Sequence, residues 1–228
     1  PQFTAISGIE VRVIAVGTGQ AIRNARNGDG DVLLVHARSA EEQFVAEGHG
    51  IERFDLMYND FVIVGPAADP ARIHGGTDPL VALRAIARAR AAFASRGDNS
   101  GTHHKENELW TEARYNPLPE SGTWYRETGS GMGATLNLAT AMAAYTLTDR
   151  ATWIAFRNKG DMVVHVQGDP RLFNQYGITA VNPVRHPSVN TDAARRFVDW
   201  MLGPNGQQAI ANYRVQSQQL FFPNARSP

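Results

Sequence analysis

Three glycine-rich turns in the sequence carry small residues and hydroxyl groups just before predicted helices. They are VGTGQ (16–20), SRGDNSGT (95–102) and GSGMGAT (129–135). The first N–H groups of a helix lack helical partners, and the helix dipole favours negative charge, so such turns can bind an anion. Capping alone explains many turns of this kind, but three of them in one chain favour a site for a small anion.

Arg96 is the side chain in these turns that is best suited to hold an oxyanion. It directly follows a predicted strand and precedes Gly97, so its fixed fork of donors can be aimed at a ligand. The alternative is a surface arginine paired with Asp98. Asp98 also bears on selectivity, because a protonated oxyanion such as phosphate needs an acceptor, whereas a fully deprotonated one needs donors only. Asp98 turned toward the ligand predicts the first kind of ligand, and Asp98 turned back onto Arg96 or the helix predicts the second.

Two other groups of residues offer chemistry with less specific signals. His103 and His104 are neighbours on a predicted helix and so face different sides, with no third ligand at a suitable spacing, and no metal site is predicted. The turn after the strand 145–147 holds Thr148 and Arg150. They line the ligand site, or they belong to a helix cap and a structural ion pair, and the sequence leaves both roles open.

The composition is that of a globular protein without a strong electrostatic field. The 22 Lys and Arg residues balance the 22 Asp and Glu residues, so nucleic-acid binding through bulk charge is not expected. The absence of cysteine excludes thiolate metal sites, cysteine nucleophiles and disulfides. No apolar run is long enough to predict a transmembrane helix. The sequence starts at Pro1 without Met, so an upstream segment is expected.

Apolar runs alternate with amphipathic stretches, which predicts an α/β fold with parallel sheets. The predicted strands are 11–16, 31–36, 61–65, 93–95, 145–147, 162–166 and 177–181. Predicted helices follow the first and third glycine-rich turns and also span 40–47, 79–91, 100–112, 149–156, 191–202 and 204–213. The continuous apolar run 31–36 is expected to be covered on both faces. Two strands with proline-rich exits indicate two lobes, with residues 1–65 and 178–228 as lobe I and residues 66–177 as lobe II.

Several longer stretches of the sequence are similar to one family. They include VIAVGTGQA (13–21), DVLLVHA (31–37), SRGDNSGTHHKE (95–106), WYRETGSGMGATL (124–136), YTLTDRATW (145–153) and GDPRLFNQYGITAVNP (168–183). Over essentially its whole length, the chain resembles the tungstate-binding proteins of Tup-type ABC importers, within the wider class of molybdate- and sulfate-type periplasmic binding proteins.

The resemblance implies a type II periplasmic-binding-protein fold, in which two α/β lobes are joined by two crossover strands and hold the anion in the cleft between them. Carried onto matching positions, it implies six ligand residues, which are Thr18, Arg96, Ser100, Thr102, Gly133 and Thr148. It further implies tungstate or molybdate as the ligand, no cofactor and no metal other than the oxyanion. The implied partner is an ABC permease in the membrane, and a monomer in the periplasm, or anchored outside the cell, is expected.

The chain departs from the family pattern at its start. Family members begin with a further strand whose Thr- and Ser-rich turn supplies donors from the first lobe, whereas residues 3–9 here resemble the end of the following helix. The resemblance therefore predicts a longer native chain, because the first sheet would otherwise lose a central strand and expose its edges.

Other ligands and another class of function stay open on the sequence alone. Residue chemistry does not separate tungstate from molybdate, and sulfate and phosphate are further alternatives. An enzyme acting on phosphate esters could use Arg96 with His103 or His104, but the sequence shows no convincing nucleophile or metal site beside them, so no enzymatic activity is predicted. A ligand-sensing part of a transcription regulator would need a helix-turn-helix segment, which this sequence lacks.

Overall fold

The computed structural model describes residues 1–98 and 100–225, so Asn99, in the second predicted turn, lies outside the described residues. The helices are Gln2–Ser7 (α1), Thr18–Asn27 (α2), Arg38–Ala46 (α3), Pro79–Ala89 (α4), Gly101–Glu112 (α5), Met132–Met142 (α6), Arg150–Ala155 (α7), Thr191–Leu202 (α8) and Pro204–Asn212 (α9). The strands are Val32–Val35 (β1), Gly50–Pro66 (β2), Phe93–Ser95 (β3), Tyr125–Glu127 (β4), Thr146–Asp149 (β5), Met162–Val166 (β6), Phe173–Val181 (β7), Arg214–Val215 (β8), Gln218–Gln219 (β9) and Phe222–Pro223 (β10).

The chain divides into two compact units. The first is Pro1–Tyr58 with Gln175–Pro228, and the second is Asn59–Asn174. Both divisions fall within strands, one in β2 and the other in β7. The lobe boundaries expected from the sequence, after residues 65 and 177, lie a few residues further along the same two strands.

The sheet of the first unit is antiparallel in its described pairs. Its strand order is β1, β7, β2 and β10. β1 pairs antiparallel with β7, with Val32 opposite Ala180, and β7 is the strand that enters this unit from the second one. The predicted parallel pairing of the run 31–36 is therefore wrong. The prediction that both its faces are covered is also wrong, since Leu34 is 36% exposed.

Residues 11–16 were predicted to form a strand, and this prediction is also wrong. Among the described residues no strand pairs with this segment, which has no regular secondary structure. Its apolar side chains are exposed, with Val13 at 82% and Ile14 at 65%. β-branched residues favour the strand conformation, but a strand also requires a neighbouring strand to pair with its backbone N–H and C=O groups.

The second unit buries apolar residues on both faces of its sheet. Within β2, Phe61 and Ile63 face a core that includes Leu83 of α4 and Trp110 of α5. Val62 and Val64, which alternate with them, face a second core built by α6 and α7. This part of β2 pairs antiparallel with β5 and β6, whereas β3 and β4 pair in parallel. The prediction of parallel sheets thus holds only for the strands around β3.

Local signals placed most helices correctly. Pro79 occupies the first turn of α4, and the Asp78 side chain accepts from the N–H of Leu80 at 2.8 Å and of Val81 at 3.1 Å. Helix α8 spans the predicted residues, with Ala194, Val198 and Leu202 buried at the four-residue spacing of one helix face. No helix in the described ranges is both long and apolar enough to cross a bilayer.

Candidate functional site

Three strands of the second unit end at one edge of its sheet. β3 pairs in parallel with β4, starting with Phe93 opposite Tyr125. On its other side, β3 meets the residue before β5 through a parallel bridge between Phe93 and Tyr145, and the Ala94 N–H donates to the Tyr145 carbonyl at 2.8 Å. The turns that lead into α5, α6 and α7 therefore lie along the same edge, the usual position of ligands in α/β sheets.

The start of α5 is capped by Ser100, as the capping alternative predicted. Its Oγ accepts from the His103 N–H at 3.2 Å, which leaves the hydroxyl hydrogen for Asp98 or for a ligand. The Ser100 N–H donates to Asp98 Oδ1 at 3.3 Å. The N–H groups of Gly101 and Thr102 come next, and their positions in the helix give them no helical acceptor. These two groups are donors that an anion can use.

Arg96 is fixed at this edge by two acceptors. It forms an ion pair with Asp98, and its Nε donates to the Ser130 carbonyl at 3.3 Å, which joins the turn after β3 to the turn after β4. Only 13% of the Arg96 side chain is exposed, so the pair with Asp98 is not the surface pair that the sequence allowed. A guanidinium has five N–H donors, and these two bonds leave others for a ligand.

Asp98 is turned back into the protein. One carboxylate oxygen pairs with Arg96 and the other accepts from the Ser100 N–H. Burial raises the pKa of Asp98, but the hydrogen bonds from Ser100 and the charge of Arg96 outweigh it and hold the pKa below its ordinary value. Asp98 is thus an anion that positions Arg96, the arrangement expected for a site that binds a fully deprotonated oxyanion.

The start of α6 has no side-chain cap. Its N-cap residue is Gly131, and a Cβ on Gly133 would meet nothing within 4 Å, so the first N–H groups of α6 are open to a ligand. The turn before them is held by hydroxyl bonds. Thr128 Oγ1 and Thr135 Oγ1 lie 2.8 Å apart, and Ser130 Oγ donates to the Thr128 carbonyl at 3.0 Å.

The turn after β5 is mostly structural. Arg150 donates to both carboxylate oxygens of Asp60 at 2.6 Å and to Gln167 at 2.9 Å, so the ion-pair alternative predicted for it is the one observed. Asp149 caps α7 by accepting from the Thr152 N–H at 2.8 Å. Thr148 is fully buried, and its hydroxyl donates to the Asp149 carbonyl at 3.2 Å, which makes it the weakest of the expected ligand residues.

The start of α2, in the first unit, is a helix start of the same kind. Helix α2 begins at Thr18 after Gly17, which supplies no side-chain cap. Thr18 is 6% exposed, and Ile22 and Ala25 anchor the helix in the core of this unit. The start of α2 therefore presents uncapped N–H groups next to a buried hydroxyl.

Comparison with known proteins identifies the family. Residues 1–205 match the PBP superfamily domain. A protein of Peptoclostridium acidaminophilum, the tungstate-binding protein TupA, is 44% identical over 229 residues, which are 99% of this chain and 79% of that protein. The chain belongs to the TupA family of the PBP superfamily.

Two solved structures support the same family. The tungstate-binding protein TupA of Desulfovibrio alaskensis G20 is 48% identical with a TM-score of 0.85, covering 99% of this chain and 91% of that one. The tungstate ABC transporter structure from Geobacter sulfurreducens is 50% identical with a TM-score of 0.85, covering 93% and 90%.

These comparisons confirm the family and the α/β binding-protein fold that were predicted from the sequence.

The histidines of α5 lie beside the edge described above, and burial lowers the pKa of His103 below its ordinary value. In the part of the chain that the structure describes, no group of three or more His, Cys, Asp or Glu side chains is placed to hold a metal ion.

One acidic residue behind the edge in this TupA family member was missed by the sequence analysis. Glu106 is 2% exposed, and its Oε1 accepts from the Tyr125 hydroxyl at 2.8 Å and from Trp110 Nε1 at 3.2 Å. A signal for it exists in the sequence. Thr102, Glu106 and Trp110 follow one another at four-residue spacing and so share the buried face of α5, where an unexplained acid is unusual.

Proposed function

We propose that this chain is the substrate-binding protein of an ABC importer and that it binds tungstate. The observation that carries the proposal is the sheet edge of the second unit, where Arg96 and the starts of α5 and α6 present donors together. Similarity to proteins named as tungstate-binding supports the choice of ion. Molybdate, of nearly the same size, shape and charge, is the alternative ligand.

Binding of an oxyanion at this sheet edge requires hydrogen-bond donors in fixed positions, and it requires no chemical step. A dianion that leaves water loses strong hydrogen bonds, so each of its oxygens must find donors in the protein. The guanidinium of Arg96 supplies charge, and the N–H groups of Thr102 and Gly133 supply oriented dipoles at helix starts. No bond is made or broken in this role, and the protein acts as a carrier rather than as an enzyme.

The proposed ligand residues follow from the same reasoning. In the second unit they are Arg96, Ser100, Thr102, Gly133 and, with the weakest support, Thr148. Thr18 of the first unit is proposed as a ligand residue for two reasons only, which are its position at the uncapped start of α2 and the expectation from the sequence. A substrate-binding protein of this kind works outside the cytoplasm and delivers the ion to a membrane permease, so we propose an extracytoplasmic monomer with a permease as its partner. The proposal keeps the two lobes expected from the sequence, with residues 1–65 and 178–228 as lobe I and residues 66–177 as lobe II.

Isothermal titration calorimetry of the protein with tungstate tests the proposed function. We expect saturable binding of a single ion per chain, with molybdate competing for the same site. Perchlorate is the matched control ligand, because it is tetrahedral but carries a single charge and interacts more weakly with donors. Absence of any saturable heat with tungstate and molybdate would contradict the proposal.

A further inference from the structure

A buried acid lies directly behind the proposed oxyanion site. Glu106 is enclosed in the second unit, and both of its described donors, Tyr125 and Trp110, reach the same oxygen, Oε1. The other oxygen, Oε2, is the natural position for a proton. Burial raises the pKa of Glu106 to about 7, although the nearby hydroxyls of Ser95 and Tyr125 and the indole of Trp110 lower it. This carboxyl therefore titrates close to neutral pH.

The position of Glu106 couples it to the anion-binding edge in two ways. It is the sixth residue of α5, so it lies roughly 6–8 Å along the helix from the donors at the helix start. It also accepts a hydrogen bond from Tyr125 of β4, and β4 pairs with β3, whose last residue, Ser95, immediately precedes Arg96 in the sequence. Charges at such a separation inside a protein interact appreciably, since little water lies between them to screen the field.

We propose that Glu106 takes up a proton when the oxyanion binds, so that the affinity of the site for a dianion is linked to pH. This inference rests on the proposed function. A bound dianion disfavours a carboxylate behind it and favours the neutral acid, which accepts the same hydrogen bonds at Oε1. By linkage, the affinity is highest when Glu106 is already protonated and falls as the pH rises through the pKa of the free protein.

The groups that surround Glu106 do not give the same pH dependence. Glu127, at the end of β4, raises the pKa of Glu106. The pKa of Tyr125 is itself raised by burial and by Glu106, so its hydroxyl stays protonated. His103, one turn earlier on α5, has a lowered pKa because of burial, so it loses its charge at a lower pH than Glu106 does. In the same core, α4 and β5 contribute apolar side chains such as Leu83 and Leu147.

Calorimetry of the full chain with tungstate, repeated in two buffers of different ionisation enthalpy, measures the protons taken up on binding. At about pH 7.5 we expect the unmodified protein to take up a fraction of a proton when tungstate binds. Glu106→Gln lacks the titrating carboxyl, so this uptake should be missing from the variant. If binding raises the pKa of Glu106 by about one unit, the affinity of the unmodified protein falls about tenfold between roughly pH 6 and pH 9. The affinity of Glu106→Gln stays near the value of the unmodified protein at low pH.

A second variant keeps the test decisive if Glu106→Gln does not fold. Tyr125→Phe removes a hydrogen bond that lowers the pKa of Glu106, so the fall in affinity should move to higher pH. His103→Gln is the control, and its fall in affinity should stay where it is in the unmodified protein. Equal proton uptake in the unmodified protein and Glu106→Gln, or an unmoved profile in Tyr125→Phe, overturns this inference alone. Absence of tungstate binding at every pH overturns the proposed function together with it.

Discussion

Replacing Arg96 by alanine will weaken tungstate binding by about 100-fold or more. The substitution removes the charged donor and leaves the Asp98 carboxylate without its ion-pair partner at the proposed site. Truncating one member of a buried, hydrogen-bonded charge pair typically costs about 2–5 kcal/mol, and about 1.4 kcal/mol corresponds to a tenfold change in affinity. Arg96→Lys keeps the charge but loses the fork of donors, so an intermediate loss of about tenfold is expected.

The matched control is Arg90→Ala. Arg90 also donates to both oxygens of a carboxylate, that of Glu120, at 3.0 and 2.8 Å. It precedes β3 and so lies toward the opposite end of that strand from Arg96, and its side chain is 58% exposed. Calorimetry should show unchanged tungstate affinity in Arg90→Ala. Equal losses in the two variants, or full affinity in Arg96→Ala, would show that Arg96 does not bind the ion.

The site is expected to reject protonated oxyanions, with phosphate bound at least about 100-fold more weakly than tungstate. Near neutral pH phosphate carries at least one proton and needs an acceptor. The carboxylate that could serve, Asp98, is already engaged by Arg96 and Ser100. A buried polar group left without a partner costs about 1–3 kcal/mol, and the mismatch in size and charge adds to that.

Size-matched pairs of anions separate the effect of the proton from that of size. Sulfate and phosphate form one pair, and selenate and arsenate form the other. In displacement of tungstate, followed by calorimetry, the deprotonated member of each pair should compete better than the protonated member. Phosphate and arsenate competing as well as their partners would mean that Asp98 turns toward the ligand, contrary to its position in the structure.

The elements around the candidate site were predictable because their signals are local. Ser100 ahead of a helical stretch predicts a cap, and the Ser100 hydroxyl does accept from the His103 N–H. Pro79 after Asp78 predicts the start of α4 in the same way. The position of Arg96 at the sheet edge follows in the same way, because Arg96 directly follows a strand that the apolar pattern places in the core. In each case a few consecutive residues contain all the information required.

Features that depend on distant residues were not predictable. The side chain of Arg150 pairs with Asp60, 90 positions away in the sequence, and no local pattern selects that partner. The direction of Asp98 depends on where Arg96 and Ser100 place their donors. Residues 11–16 have the composition of a strand, but strand formation also depends on a neighbour, which the local sequence does not specify.

Glu106 lies between these two cases. Its place on the buried face of α5 follows from helical spacing, so a buried acid could have been predicted. Its partner Tyr125 belongs to β4, a short strand that the sequence analysis did not predict, and the raised pKa depends on the enclosure that β3, β4 and α5 build together. The role proposed for Glu106 therefore required the structure.

A crystal structure of the protein grown with tungstate, with data collected at the tungsten absorption edge, tests the central claim most directly. The anomalous signal locates the metal atom without reference to any model of the ligand. We predict a single strong peak whose surrounding oxygens lie within hydrogen-bonding distance of the Arg96 guanidinium and of N–H groups at the starts of α5 and α6. A fully occupied tungstate bound away from Arg96 and both helix starts would contradict the account.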